Sequence, residues 1–150
     1  MHYAVLRYFI GRFLSCYIEN TDLCRKGRII FMKILILNSS PRRNGNISKM
    51  LEAMKQEIEC CNAEAVYVRV PELKVRPCIG CMKCRSSLRC CLPEDDAQRV
   101  LQSIRDADAL IIGAPCYWGN MPGELKVLFD RMVYGMMGEN SLGMPLALHK

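Results

Sequence analysis

Histidine is nearly absent from this sequence: there are two, His2 and His149, and both stand at its ends. The body of the chain therefore has no imidazole to serve as a general acid or base. Aromatic residues are also scarce, at 7%, with a single tryptophan. No low-complexity run, internal repeat or long Gly/Pro/Ser tract occurs, which sets aside disordered and solenoid architectures. Long apolar runs are missing too. The opening "MHYAVLRYFIGRFLSCYIEN" is interrupted by Arg7 and Arg12, so it falls short of a membrane span and makes no convincing cleavable signal peptide. Nor is there a basic stripe with interleaved aromatics, which argues against a nucleic-acid partner.

What remains is a chain of 150 residues, 51% hydrophobic and 24% charged, about the length of one globular domain with a sheet and a few helices. The net charge of +6 is dispersed. Part of it lies in residues 1–32, where Arg7, Arg12, Arg25, Lys26 and Arg28 outnumber Glu19 and Asp22. The rest includes Arg42, Arg43, Lys83, Arg85 and Arg89, which suit a small anionic ligand better than a polyanion. Ten cysteines without a secretory leader point to a reducing, cytoplasmic setting. An Arg-bearing, acid-poor N-terminus is also what an organelle presequence looks like. Met32, in "IIFMKILILNSS", is the better reading of a natural start, with residues 1–31 as an extension and residues 32–150 as the domain.

The domain reads as alternating strands and helices. "MKILILNSS" carries an apolar run from Ile34 to Leu37, as in a buried parallel strand. Ile47, Met50, Leu51, Met54 and Ile58 then recur at helical spacing, with Asn46 or its neighbours as cap. "AEAVYVRV" alternates Val66, Val68 and Val70 before Pro71 ends it. A helix capped by Asp95 or Asp96 follows, with Ala97, Val100, Leu101 and Ile104 on one face. "ALIIGAP" is a third buried strand. "CYWGNMPGELKVLFDRM" turns into a third helix with Asn120 as cap, Pro122 in its first turn, and Leu125, Leu128, Phe129 and Met132 inward. The tail "YGMMGENSLGMPLALHK" shows no convincing helix. The order β-α-β-α-β-α predicts an α/β fold, a parallel sheet between two helical layers.

In such sheets ligands bind where the loops leave the carboxyl ends of the strands. "NSSPRRNGNIS" lies there after strand one. Ser39, Ser40, Asn46 and Ser48 are donors, Arg42 or Arg43 offers a guanidinium fork, and Gly45 lets the backbone wrap an anion. The stretch is neither a Walker loop nor a dinucleotide fingerprint, and by itself it also reads as a polar turn with helix caps. "GAPCYWGNMP", after strand three, sets Tyr117 beside Trp118 between two prolines. Those aromatics suit a flat heterocycle; the competing reading is that they cover the core from its rim. Phosphate loop and aromatic loop together are the arrangement of a mononucleotide site in a flavodoxin-like sheet.

On "MKILILNSSPRRNGNISKML", "CIGCMKCRSSLRCCLPEDD" and "ADALIIGAPCYWGNMPGELKVLFDR", the chain resembles the NAD(P)H-dependent FMN reductases and, more narrowly, the iron-sulfur flavoproteins of the flavodoxin-like superfamily. The resemblance implies that Ser39, Ser40, Arg42, Asn46, Ile47 and Ser48 surround an FMN phosphate. It likewise implies that Pro115, Cys116, Tyr117, Trp118, Gly119, Asn120 and Met121 line the ribityl chain and the isoalloxazine ring. NAD(P)H is the implied cosubstrate, and a homo-oligomer, dimer or tetramer, the implied assembly. The family fold has five parallel strands in the order 2-1-3-4-5. Only the first three are legible here, so the chain reads as a shortened member, with an unpaired edge on strand three. Cys116 departs from the small aliphatic or Thr of relatives and is read as a small buried hydrophobe with no redox role.

Residues 78–91, "CIGCMKCRSSLRCC", hold five cysteines. Cys78, Cys81 and Cys84 make C-x2-C-x2-C. Three thiols in one tight run suit corners of a [4Fe–4S] cube, whereas zinc sites more often pair two separated knuckles. The x5 interval to Cys90 resembles the iron-sulfur flavoproteins and makes Cys90 the fourth ligand, with Cys91 spare. Zinc, or a loop left empty or oxidised, are the rival readings. The function implied is electron transfer between NAD(P)H or a ferredoxin-like donor and an acceptor, through FMN and the cluster. The alternatives are a cluster-free FMN or quinone reductase and a non-catalytic flavin- or metal-binding fragment.

Overall fold

The computed structural model describes residues 32–87 and 89–136; the expected extension and the tail beyond residue 136 lie outside them. β1 (Lys33–Asn38) is central, with β2 (Glu64–Arg69) and β3 (Ala109–Gly113) parallel to it on either side. Leu35, Leu37 and Ile36 are fully buried, because a central strand is covered on both faces. α1 (Asn46–Cys60) packs on one face, where Leu51, Ile58 and Ala63 meet Ile34 and Ile36. α3 (Asp96–Asp106) and α4 (Gly123–Met136) cover the other, setting Val100, Leu101, Leu125, Leu128 and Met132 against Leu35 and Leu37. α2 (Cys84–Ser87) is a single turn in the cysteine segment. This is the α/β, three-layer, flavodoxin-like arrangement expected.

Several local expectations are corrected. Met50 is exposed, so the buried stripe of α1 is narrower than its apolar spacing. Gly45, the neighbour of Asn46, occupies the N-cap of α1, and no side chain caps it. Asn120 does not cap α4: its Oδ1 accepts from the Met121 amide, and α4 opens on the bond from Lys126 N–H to the Pro122 carbonyl. α4 also runs on through Tyr134, Gly135 and Met136. The third strand is only half buried, with Leu110 and Ile112 at 38% and 41% exposure. Among the described residues no strand pairs with its outer edge.

Other expectations hold. Asp95 caps α3 as part of a capping box: its Oδ1 accepts from Ala97 N–H at 3.0 Å and its own N–H donates to Gln98 Oε1 at 3.0 Å. Pro71 falls in a single 3-10 turn, Val70–Glu72, which ends β2. Gly113 is required by contact, since a Cβ there would stand 2.5 Å from Leu51 Cδ1. Its absence lets α1 close onto β3 at the mouth of the two ligand loops.

Candidate flavin site and cysteine cavity

The loop after β1 is organised from beneath by Asn38. This buried side chain donates to Ser48 Oγ at 2.9 Å and to Tyr67 Oη at 2.7 Å, while its Oδ1 accepts from Ser40 N–H at 2.8 Å. The Arg42 carbonyl then gathers Ser48 Oγ at 2.8 Å, Ser40 Oγ at 3.3 Å and Gly45 N–H at 3.2 Å. A tight turn results, and Ser48 is spent on holding it. The uncapped start of α1 leaves first-turn amides available.

The two arginines divide. Arg43 pairs with Glu72 at 2.8 Å, and Glu72 also holds Arg69 at 2.6 Å. Arg42 shows no such pairing among the described residues and lines a hollow of about 600 Å³ with Ser40, Asn44, Gly45, Asn46 and Ile47. Pro115 and Tyr117, from the loop after β3, close the hollow's far side. The structure thus brings Ser40, Arg42, Asn46, Ile47, Pro115 and Tyr117 together, with Ser39 and Ser48 buried below.

Beyond Tyr117 the loop is a two-residue hairpin. Tyr117 and Asn120 exchange backbone hydrogen bonds of 2.8 and 3.0 Å around Trp118 and Gly119, both at positive φ, 51° and 76°. That is the backbone of a type I′ turn. A tryptophan in the left-handed region is strained, and here it stands fully exposed at the tip. It does not cover the core. Cys116 is also exposed rather than buried, because the chain leaves the sheet after Gly113. Trp118, Gly119, Asn120, Met121 and Cys116 do not line the hollow.

The loop between β2 and α3 carries the cysteines. Cys78, Cys81, Cys84, Cys90 and Cys91 all line one cavity of about 30 Å³, together with Asp130 and Arg131 of α4. Gly80 and Met82 bend the chain through positive φ, 65° and 60°. Cys81 Sγ and Cys91 Sγ lie 3.1 Å apart. The Lys83 amide, followed by the Cys91 thiol, pulls the Cys81 pKa below its usual value, while the Cys81 sulfur pushes that of Cys91 up. Among the described residues no three ligands converge on a single ion.

A buried ion pair closes the neck of this loop. Arg131 Nη1 donates to Asp95 Oδ2 and to the Arg76 carbonyl, both at 2.7 Å, and Asp95 Oδ2 also accepts from Arg76 N–H at 3.1 Å. Beside it Lys74 N–H donates to Asp96 Oδ2 at 2.6 Å. Burial would raise the Asp95 pKa, but the Arg76 and Ala97 amides and the Arg131 guanidinium outweigh it and hold it below the usual carboxylate value. Burial disfavours the Arg131 charge, and the Asp95 carboxylate more than offsets it.

The sequence model of the NADPH-dependent FMN reductases matches residues 32–148. The chain belongs to that family. An iron-sulfur flavoprotein of Archaeoglobus fulgidus is 33% identical over 111 residues, covering 74% of this chain and 54% of the relative. An iron-sulfur flavoprotein of Methanosarcina thermophila is 36% identical over 102 residues, covering 68% and 53%. The chain therefore spans about half the length of the relatives it matches. In structure it is similar to an NAD(P)H:quinone oxidoreductase of Methanothermobacter marburgensis, with a TM-score of 0.58 at 24% identity over 69% of this chain and 54% of that one. That likeness is one of fold.

The FMN reductase hollow fits a phosphate on its own terms. A guanidinium over the hollow and an uncapped helix start are donors seeking an anion. The cysteine cavity has the donor types of an iron-sulfur site, five cysteines on one lining beside Arg131, although among the described residues no three of them yet converge. Sequence reasoning missed Asn38, Tyr67 and the Asp95–Arg131 pair as builders of these sites. Asn38 had a signal in "NSS", a polar residue ending a run of buried ones. The ion pair spans 36 positions, and no local pattern announces it.

Proposed function

We propose that this chain is an FMN-dependent oxidoreductase that passes electrons between NAD(P)H or a ferredoxin-like donor and an acceptor through FMN and a [4Fe–4S] cluster. The flavin-binding domain occupies residues 32–150. The observation that carries the reading is the hollow formed by Ser40, Arg42, Asn46 and Ile47 against Pro115 and Tyr117. It lies at the carboxyl edge of a parallel sheet whose next loop, after β2, holds five thiols around one cavity.

When bound, FMN supplies hydride acceptance at N5 and single-electron release, and a [4Fe–4S] centre takes one electron at a time. The chain's own part is binding and orientation. Ser39 and Ser40, through hydroxyls, and Asn46, Ile47 and Ser48, through first-turn amides, would surround the FMN phosphate, and Arg42 would supply the positive charge. Asn38 holds that loop in shape before any ligand arrives. Pro115 and Tyr117, on the hollow, would meet the ribityl chain, and Cys116, Trp118, Gly119, Asn120 and Met121, outside it, would reach the ring only as it extends beyond the hollow. Cys78, Cys81, Cys84 and Cys90 would hold the cluster, leaving Cys91 free. Leu110 and Ile112, on the open side of β3, suit contact with a second copy in a homo-oligomer.

An anaerobic absorption spectrum before and after acid treatment, with iron and sulfide analysis, tests the reading. Resolved flavin bands over a broad absorption bleached by acid are expected. Flavin without iron would favour a cluster-free FMN or quinone reductase, the second reading. It has its own support in the lack of three converging ligands among the described residues. Neither chromophore would sink the proposal.

A further inference from the structure

Arg131 does more than its pairing with Asp95 requires. A guanidinium has five N–H donors, and Nη1 uses its two on Asp95 and the Arg76 carbonyl. Among the described residues Nε and Nη2 have no hydrogen-bond partner, and the side chain is 0% exposed. Buried charged donors left unmade are costly, so a fold keeps them where something anionic meets them. Arg131 lines the cavity of Cys78, Cys81, Cys84, Cys90 and Cys91. Its one carboxylate partner is already engaged, and the group on that wall that also interacts with the guanidinium is the thiol of Cys90.

We propose that Arg131 is a potential-setting residue for the centre bound by this loop, its free N–H groups serving thiolate or inorganic sulfide. The inference rests on the cluster reading given above. Hydrogen bonds and positive charge at the sulfurs stabilise the reduced, more negative cluster, and so raise its reduction potential. The same side chain ties the loop shut, since Nη1 joins Arg76 on one side of the neck to Asp95 on the other. Arg131 is thus fixed by the neck and aimed at the thiols, which a surface lysine would not be.

The test compares wild type, R131K and R131Q, each full chain reconstituted anaerobically with ferrous iron and sulfide. Each is titrated with dithionite while the paramagnetic signal of the reduced cluster is followed. R131Q should bind the electron about tenfold less well, a fall of about 59 mV for one electron. R131K should fall between, and it carries the comparison if R131Q does not fold. Thermal melting of the iron-free proteins reports loop closure separately. Unchanged potentials in both variants overturn the inference. Folded variants that take up no cluster overturn it too, because loop closure alone then accounts for Arg131. A wild-type chain that takes up no iron sinks instead the cluster reading beneath it.

Discussion

Asp95 and Arg131 meet at 2.7 Å, with side chains 9% and 0% exposed, and so join the cap of α3 to the middle of α4. Breaking such a pair from one side leaves a buried charge uncompensated, which costs about 3 to 5 kcal/mol. Asp95→Asn isolates that cost, because asparagine caps a helix about as well as aspartate. Chemical denaturation at pH 7 should show a loss of that size, and an unchanged midpoint would refute the pair's role.

The same pair makes stability depend on acid. The folded pKa of Asp95 lies below its usual value, so its contribution is fully present above the unfolded carboxylate value of about 3.9. It is lost as pH falls through the lowered folded value. The gap between wild type and D95N should therefore be widest near neutrality and close below about pH 4, as followed by melting temperature across pH.

Arg42 and Arg43 are adjacent in sequence and unequal in place. Arg43 is spent on Glu72 at an exposed pair, worth about 0 to 1 kcal/mol, whereas Arg42 faces the hollow. R42Q should weaken FMN binding about tenfold and riboflavin binding little, as expected for one charge-assisted contact to phosphate. R43Q should leave both near wild type. Flavin fluorescence titrations decide, and equal losses for FMN and riboflavin would remove Arg42 from the phosphate.

Asn38→Asp keeps the acceptor for Ser40 N–H but loses the donors to Ser48 and Tyr67 and adds charge below the phosphate loop. FMN affinity should drop by at least about tenfold. Riboflavin should be affected less. A variant with full FMN affinity would show that the network does not shape the site.

Trp118 sits at φ 51° in a turn that glycine occupies without strain. W118G should raise stability by about 1 kcal/mol and lower flavin affinity, if the strain is kept for the ligand. A stabilised variant with unaltered flavin binding would leave the tryptophan with no part in the site.

Much of the fold could be read from local pattern. Val66 and Val68 alternate, Asp95 stands three residues before Gln98, and Pro71 stops a strand, and each acts within a turn or two of chain. The polar loop after β1 was legible for the same reason, since its serines, arginines and asparagines are close in sequence. Cys116 misled, because its exposure is set by where the chain turns after β3. Met50 misled as well. Apolar spacing marks a face, but the width of the sheet beneath decides how much of it is covered.

The sequence by itself determined the alternation of strand and helix, the places of the two ligand loops and the run of five thiols, all properties of residues close along the chain. Only the tertiary structure decided which arginine faces the hollow, that Asn38 and Tyr67 shape the loop from below, and that Arg131 closes the cysteine segment. Those outcomes depend on distances between residues tens of positions apart, and packing of α1, α3 and α4 on the sheet is what sets them.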